Sequence, residues 1–546
     1  MRGTVGEYKF APDEGPMLPG GPFLPKLHPG RRLEYGLAGA FIGIAATFPN
    51  SLITVNVPNL PGSLGLDIAE VSWLPAIFVA IMATANLSLA KARIQFGFPA
   101  VTAFVLTMNC VLGLTQLIWP DFVIAAAARA ANGLTAASLI ALSMFYMLQA
   151  FPPKHRLWGA ISAISLAQLG APLARLVPLD VLTLDHGRGL HLIEPAVCLL
   201  LLATIKLTPL PPSERSKAFE PIDFLTIGLA VPAMLLFCGV LGLGRIYWWT
   251  DAPFLGWMLV GCIPFFAGVF VIESHRARPL LRLDWLTSGD MLRLAAVATL
   301  VRVALAEQTY GSVGLLTSGG LTNDQLHVLF MLVALAILAG TVVACLTFSK
   351  ERIGLQVTAA ALVIALGAFI DSGANDLTRP PQIYLSQALI GFGTTLFIGP
   401  ALVYFFFRMI PKGQDHFISF VVLFASTQNV GGLAGSAFLG SYEFSQARRH
   451  AASLADHISL ADPQVVQRLQ SGAGLVSGTL PDPALRSAEG VALLGQRLTA
   501  EANILAFDDV FRLVAVLALL TAGFLVYRIS YSTWREWRHA QTGHSA

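Results

Sequence analysis

Long apolar stretches follow one another along the whole chain, with short polar connections between them. A helix needs about 17 to 25 mainly apolar residues to cross a bilayer. Stretches of this kind begin near Tyr35, Val71, Pro99, Phe122, Leu157, Leu190, Phe224, Phe254, Met291, Leu326, Ile353, Ile383, Phe417 and Val510. The pattern predicts an all-α polytopic membrane protein with fourteen transmembrane helices.

The basic residues predict how these helices are oriented. Every second connection is basic, as at Lys91 and Arg93 and again at Lys154 and Arg156, and both terminal segments are basic as well. The opposite short connections hold few basic residues: Arg188, Arg245 and Arg379. Because short basic connections stay on the cytoplasmic side, both termini are predicted to be cytoplasmic.

Composition agrees with a membrane protein and narrows its chemistry. The 546 residues are 55% apolar and 12% charged, whereas roughly a quarter of a soluble protein is charged. A formal net charge of +3 is too small to suggest a nucleic-acid partner. The five cysteines lie in apolar stretches without metal-binding spacing, so no disulfide framework, metal site or cofactor is expected. The first thirty residues have no apolar core of a signal peptide, so the first helix is predicted to be an uncleaved anchor.

The stretch from Phe122 to Leu182 carries the most informative motifs. Arg129 lies in the middle of a predicted membrane helix, and a charge at that depth is costly enough to suggest a function. The next predicted helix is bent by a proline and contains small residues that let a neighbouring backbone approach closely. Its motif residues are Gln168, Gly170, Pro172 and Arg175. The two helices are predicted to belong to a moving part.

These motifs resemble those of a known transporter family. The run that begins at Arg129 and includes Asn132 and Gly133 resembles the RxxQGxg pattern of the fourth helix in the major facilitator superfamily. Gly170-Ala171-Pro172-Leu173 is similar to the GPxLGG antiporter pattern of its fifth helix. This chain has Asn132 in place of the glutamine and Ala174-Arg175 in place of the two glycines.

The wider layout resembles the fourteen-helix drug-proton antiporter branch, the EmrB type. Basic turns that end in Gly97 and Gly354 follow predicted helices two and ten, similar to a cytoplasmic loop motif of the superfamily. Predicted helix thirteen is glycine-rich, similar to that of the branch, with Gly431, Gly432 and Gly435. The resemblance implies a cytoplasmic tail (1–33), a six-helix bundle (34–209), a linker with inserted helices seven and eight (210–273), a second six-helix bundle (274–530) and a second cytoplasmic tail (531–546).

The long outer loop, 442–503, contains two helix-start signals. Asp462-Pro463 and Asp482-Pro483 each place an acidic N-cap before a proline at the first helical position. Two short helices are therefore predicted outside the membrane, the second continuing to Asn503. The loop is either an ordinary solvated connection or a docking site for a periplasmic adaptor protein. The resemblance implies the second in the inner membrane of a double-membrane bacterium.

Glu307 is the best candidate for a proton-binding residue. A proton-coupled carrier needs an ionisable group at membrane depth, and Glu307 lies well inside predicted helix nine. Arg302 is about 140° away around that helix, so Glu307 is expected to find its partner on another helix. A purely structural ion pair is the alternative. Contacts with the substrate are expected from Arg302, Gln308, Tyr310, Arg175 and Gln168.

Three further positions bear on proton coupling. The resemblance implies a part in proton transfer for Arg129, although Arg129 could instead anchor its helix. Glu194 is a second acidic candidate, or it reaches outward to the membrane interface. The antiporter branch has an aspartate in helix one, where this chain has Ser51. Asp371 is placed in an outer loop and given no role.

The leading hypothesis is a secondary transporter that exports amphipathic organic compounds or drugs by proton antiport with alternating access. The alternative is a facilitator or importer of an organic metabolite, which the arginines suggest could be an anion. A membrane sensor or scaffold without transport is the third. No enzyme is expected, because the sequence has no phosphate loop, metal cluster or nucleophile triad. The expected partners are a small-molecule substrate, protons, the lipid bilayer and the adaptor.

Overall fold

The structure is a computed structural model that describes residues 14–17, 21–57, 60, 65–213 and 215–542. For residues 183–187, 414, 532, 533 and 535–542, it describes the backbone alone. The predicted tails 1–33 and 531–546 lie partly outside the described residues.

Six membrane helices form the first bundle. They are α1 (Pro29–Val55), α2 (Ile68–Phe96), α3 (Phe98–Ile118), α4 (Phe122–Ala150), α5 (Pro153–Arg175, including two 3₁₀ turns) and α6 (Leu179–Leu207). Asp67 begins α2 with a capping box to Glu70, which satisfies exposed backbone amides. Gly97, at φ 85°, lets α3 begin directly after α2 because glycine tolerates a positive φ.

An inserted pair and a second bundle follow. The pair is α7 (Pro221–Leu243) and α8 (Pro253–His275). The second bundle contains α9 (segments Gly289–Leu305 and Glu307–Ser318), α10 (His327–Leu346), α11 (Ile353–Asp371), α12 (Tyr384–Met409), α13 (Phe417–Asp456) and α15 (Pro483–Thr542), with the short α14 (Pro463–Leu475) before α15.

The structure confirms the all-α, multi-pass architecture. Thirteen helices within the described residues are long and apolar enough to cross a membrane. The remaining predicted crossing is α9, which is broken at Ala306 into segments of 17 and 12 residues. Counted as one crossing, the two segments bring the total to the fourteen expected from the sequence.

The two bundles meet along two seams. The helix α5 packs against α10 and α12, and α2 packs against α13. In each bundle the second and fifth crossings therefore face the other bundle. The inserted pair lies beside one seam, where α7 packs on α2 and also contacts α13. This leaves a space between the bundles that is bounded by both seams.

A buried ionic network fastens the inserted pair to α2. Asp223 in α7 accepts hydrogen bonds from Lys91 Nζ at 2.6 Å and from Arg276 Nη2 at 2.8 Å. Arg276 also contacts Glu273 at 3.0 Å and Glu220 at 2.8 Å. Burial alone lowers the pKa of the Arg276 guanidinium, but its hydrogen bonds to the three carboxylates outweigh that effect and raise the pKa above the ordinary value.

The region predicted as the long outer loop is mostly helical. The predicted helix starts are confirmed: Asp462 Oδ1 accepts from Gln464 N at 2.8 Å, and Asp482 Oδ1 accepts from Ala484 N at 2.9 Å. The boundaries differ from the prediction, because α13 continues to Asp456 and α15 runs without a break from Pro483 to Thr542. The predicted tail at 531–546 is thus helical as far as Thr542. Apolar periodicity marks only the part of a helix inside the bilayer, so it underestimates helices that continue beyond it.

We predict that Asp223→Ala destabilises the protein strongly, because it leaves Lys91 and Arg276 without their shared buried counter-ion. Removal of one partner of a buried pair costs about 3–5 kcal/mol. The control is Glu220→Ala, because the Glu220 side chain is 41% exposed and an exposed pair contributes about 0–1 kcal/mol. Thermal unfolding in detergent measures both variants. Equal losses of stability would contradict the network described here.

Candidate transport cavity and buried charges

A cavity of about 630 Å³ lies between the two bundles. Its wall is contributed by helices of both bundles, among them α1, α2, α4, α5, α9 and α13. Much of that wall is apolar and aromatic, and it includes Phe78, Met82, Phe98, Phe145, Phe420 and Phe424. The volume falls in the range of small-molecule sites, which are about 300–1,000 Å³ and mostly apolar.

Arginines supply the charge of this cavity. Arg93, Arg175 and Arg302 all line the wall, and the hydrogen bonds of all three are with neutral groups. Arg93 Nη2 donates to Ala137 O at 3.3 Å, Arg175 Nη1 donates to Asn323 Oδ1 at 2.7 Å, and Arg302 Nε donates to Gln428 O at 3.0 Å. Within the described part of the chain, none of the three forms a salt bridge. Their positive charges are therefore available to a bound anion.

Acidic side chains are missing from the same wall. Among the described residues that line the cavity, no aspartate or glutamate occurs. A fourth arginine, Arg245, lies over the ring of Tyr310 at 4.9 Å. Tyr310 donates to Glu443 at 3.1 Å, so this group at the edge of the cavity contains a nearby carboxylate. The arginines Arg93, Arg175 and Arg302 thus set the sign of the electrostatic potential inside.

The glycines of α13 make room for Arg302. A Cβ added at Gly432 would stand 3.2 Å from Arg302 Nε, and one at Gly435 would stand 2.9 Å from Val303 Cα. A Cβ at Gly431 would meet Arg302 Cγ at 3.3 Å. Small residues at a helix interface allow close backbone approach. Here they bring α13 against the first segment of α9 and hold Arg302 at the cavity wall.

The structure brings most of the predicted substrate-contacting residues to one place. Gln168, Arg175, Arg302 and Tyr310 all line the cavity. Gln308 does not belong to this wall, and its Nε2 donates to the backbone oxygen of Gln387 at 3.2 Å. A one-residue step along a helix turns the side chain by about 100°, and so separates Gln308 from its neighbour Thr309, which does line the cavity.

Ser51 also lines the cavity. This is the position at which the antiporter branch is expected to carry an aspartate. The chain therefore presents a neutral hydroxyl to the cavity at this position. The hydroxyl carries no charge, so it does not offset the charges of the cavity arginines.

Arg129 and Glu194 form an ion pair inside the first bundle. The Arg129 side chain is 2% exposed and that of Glu194 is 7% exposed, and Asn132 donates a further hydrogen bond to Glu194. The alternative in which Glu194 reaches out to the membrane interface is therefore wrong. The sequence pattern places Glu194 a turn inside a helix that begins near Leu190, but α6 begins at Leu179, so Glu194 lies near its middle and faces Arg129 of α4. Neither Arg129 nor Glu194 lines the cavity.

The motif residues Gly133, Gly170 and Pro172 lie where helices of the first bundle pack closely together. A Cβ at Gly133 would stand 2.7 Å from Phe78 O, so α4 lies directly against α2 at this point. A Cβ at Gly170 would come within 2.8 Å of Phe48 N in α1, and Pro172 is buried beside it. Gly133 thus lets α4 and α2 approach closely, and Gly170 does the same for α5 and α1.

Glu307 lies in a seam of the second bundle and not on the cavity wall. It is fully buried, and its Oε1 accepts from Gln387 Nε2 of α12 at 3.1 Å. Its partner is thus on another helix, as expected, but is a neutral amide and not a cation. Ser312, in the same segment of α9, also interacts with the carboxylate, but Oε2 has no partner at hydrogen-bond geometry.

Asp371 is the functional candidate that sequence reasoning missed. It was assigned to an outer loop, but it is the last residue of α11 and only 2% exposed. Its Oδ2 accepts from the same Gln387 Nε2 at 2.7 Å, and its other oxygen accepts from Ser386. One signal was present in the sequence: the apolar run of α11 ends directly at this acid.

No protein-family model and no curated protein matches this sequence. Solved structures do match. The human organic anion transporter MFSD10 (TETRAN) aligns over 90% of this chain and 100% of its own, at 13% identity and a TM-score of 0.49. A bacterial homologue of the human drug peptide transporters PepT1 and PepT2 aligns over 92% of this chain and 99% of its own, at 11% identity and a TM-score of 0.52.

The chain has the major facilitator fold. The alignment with the peptide transporter homologue covers both bundles. At 11% identity the likeness concerns the fold alone.

We predict that Glu194→Gln lowers stability by about 3–5 kcal/mol, because it leaves Arg129 as a buried charge without a counter-ion. A double variant, Arg129→Leu with Glu194→Leu, should recover much of this loss, since it removes both charges together. Thermal unfolding in detergent measures the difference. If Glu194→Gln unfolds like the wild type but loses proton coupling, the predicted role of this pair in proton transfer gains support over a structural one.

Proposed function

We propose that this protein is a secondary transporter that exports amphipathic organic anions in exchange for protons, by alternating access of its two bundles to the central cavity. The observation that carries the proposal is the charge of the cavity. Three arginines with neutral partners line an otherwise largely apolar wall, and the described residues of that wall include no carboxylate. An anion with an aromatic or aliphatic body fits both features.

The physical argument is the cost of burying charge. An arginine away from bulk water is stabilised most by an opposite charge, and guanidinium groups bind carboxylates, sulfonates and phosphates through paired N–H donors. Arg302 lies on α9 of the second bundle and Arg175 on α5 of the first, and both line the cavity. An anionic group held by these arginines would leave its apolar body against the phenylalanines.

Proton coupling is proposed to use Glu307. This carboxylate is buried in the seam between α9 and α12 and accepts a hydrogen bond from a neutral amide. Burial disfavours the charged form, so the residue can bind and release a proton as the bundles move. Arg129 and Glu194 remain predictions for proton coupling, and their closed ion pair supports a structural role equally well.

The sequence also suggested drug export of the EmrB type, and we retain the fourteen-helix layout and the outward direction as parts of the proposal. A cavity lined by arginines favours anionic compounds over lipophilic cations within that class. In the proposed arrangement both termini face the cytoplasm of a bacterial cell. The periplasmic adaptor is proposed to contact α14 and the first turns of α15, which follow the end of α13 at Asp456.

We predict that Arg302→Gln reduces transport of an anionic dye, while a cationic dye is transported no better than in empty liposomes. A charged hydrogen bond contributes about 1.5–3 kcal/mol, which corresponds to a loss of roughly tenfold to a hundredfold in apparent affinity. Uptake of carboxyfluorescein and ethidium into proteoliposomes measures both. Arg302→Lys is the matched variant that keeps the charge, and it should lose less.

A second variant tests whether a positive electrostatic potential in the cavity is needed for transport. Ser51→Asp places a carboxylate on the wall, and it is expected to weaken carboxyfluorescein transport even though Arg302 is intact. Efficient ethidium transport by the wild type, insensitive to Arg302→Gln, would contradict the anion proposal. Carboxyfluorescein transport without any proton movement would instead favour a facilitator.

A further inference from the structure

A row of three buried carboxylates runs through the second bundle, away from the cavity. Glu307 in α9, Asp371 at the end of α11 and Asp508 in α15 are 0%, 2% and 7% exposed. None of them lines the cavity. Each comes from a different helix, so the row exists only when the bundle is assembled.

Two of the carboxylates share one hydrogen-bond donor. Gln387 Nε2 donates to Glu307 Oε1 at 3.1 Å and to Asp371 Oδ2 at 2.7 Å. The remaining donor to Asp371 is the hydroxyl of Ser386. Within the described part of the chain, no salt bridge reaches either carboxylate. Two negative charges held this close, with only neutral donors, repel each other, so the pair is more stable when it holds a proton.

The orphan atoms show where a proton would sit. Glu307 Oε2 and Asp508 Oδ1 are both buried, and neither has a hydrogen-bond partner within the described structure. An ionised oxygen there carries the full desolvation penalty of a buried charge, whereas a neutral carboxyl group carries a smaller one. Asp371 is also at the carboxyl end of α11, where the helix dipole disfavours a negative charge.

Asp508 lies close to the end of α11 that carries Asp371. It interacts with the backbone amide of Ala374, three residues after Asp371. The next residue, Asp509, accepts from His450 at 2.8 Å and from Arg512 at 3.3 Å. The side chain of Arg512 is 61% exposed. Asp508 thus contacts the turn that follows Asp371, and the exposed Arg512 lies one helical turn further along α15.

We propose that Glu307 and Asp371 form one proton-binding site, loaded from the side of the exposed Arg512 past Asp508 and separate from the substrate cavity. A proton from water binds to the carboxylate of Asp508, passes to Asp371, and is then held as the O–H of Asp371 or Glu307. Each transfer leaves the donor ionised and the acceptor neutral. Gln387 is a positioning residue that keeps the two carboxylates together. The inference rests on the proposed function for its role in coupling, but the site itself does not depend on the substrate.

The other titratable groups near Glu307 do not replace this pair. On its own helix, Arg302 faces the cavity and Tyr310 donates to Glu443. On α13, Glu443 is occupied by that bond, and His450 contacts Asp509. On α15, Asp508 is part of the route, and on α12 the neighbours Ser386 and Gln387 do not titrate.

The direct test is infrared spectroscopy of the reconstituted full chain without any substrate. The carbonyl stretch of protonated carboxylic acids is followed as pH is raised, in the wild type and in Glu307→Gln, Asp371→Asn and Asp508→Asn. We expect the wild type to show a protonated acid that persists above the ordinary range of carboxylates, and both Glu307→Gln and Asp371→Asn to alter it. The control is Asp376→Asn in the exposed loop after α11, which should match the wild type.

A transport measurement assigns the site to coupling. With carboxyfluorescein in proteoliposomes, Asp371→Asn should retain exchange of dye across the membrane but lose accumulation driven by a pH gradient. Asp508→Asn should slow that accumulation and leave exchange unchanged. Failure of the wild type as well as of all variants to move the dye, with the infrared result intact, would reject the anion proposal and keep the proton site. An unaltered infrared titration in Asp371→Asn, or accumulation that requires sodium ions in place of a pH gradient, would overturn the proton site.

Discussion

The high free-energy cost of burying an unpaired charge away from water governs how the helices of this protein are arranged. In two groups every buried charge is paired with an opposite charge of the chain: Arg129 with Glu194, and Asp223 with Lys91 and Arg276. Both hold helices together. The cavity arginines and the Glu307–Asp371 pair have only neutral hydrogen-bond partners in the described structure, so an external ion would complete them. Buried charges that have a counter-ion within the chain thus hold the structure together, whereas those without one are the groups proposed to bind substrate or proton.

The cavity arginines are positive and the Glu307–Asp371 pair is acidic, and the helix α9 carries one residue of each group. Arg302 lies on the first segment of α9 and faces the cavity, whereas Glu307 begins the second segment and faces α12. Between them is Ala306, where the helix is broken and where Gly435 of α13 packs closely. In the proposed mechanism, an anion at Arg302 and a proton at Glu307 would each act on the same break. Discontinuous helices at ion and substrate sites are a known device of secondary transporters.

Sequence patterns predicted the helices far better than the charged contacts. Apolar runs predicted the membrane crossings, and Asp462-Pro463 correctly predicted the start of a helix. Both signals depend only on residues that are neighbours in the sequence. The pairing of Arg129 with Glu194 depends on which faces of α4 and α6 meet, and spacing along the chain does not contain that information. Asp371 was missed because an acid at the end of an apolar run resembles a loop residue, and only the packing of α12 and α15 over it makes it buried. Gln308 faces away from the cavity because it is one residue, about 100° of helix rotation, from Thr309, and the sequence did not show which of these two neighbours faces the cavity.

The unbroken course of α15 has a mechanical consequence. Its 60 residues correspond to about 90 Å at 1.5 Å per residue, roughly three times the hydrocarbon thickness of a bilayer. Because the helix packs against α11 and α13 within the bundle, any tilt of that bundle is carried to both of its ends. The segment near Pro483 would then swing through a larger arc than the residues around the cavity. A protein that touched this end would sense which way the proposed transporter is open without contacting its substrate.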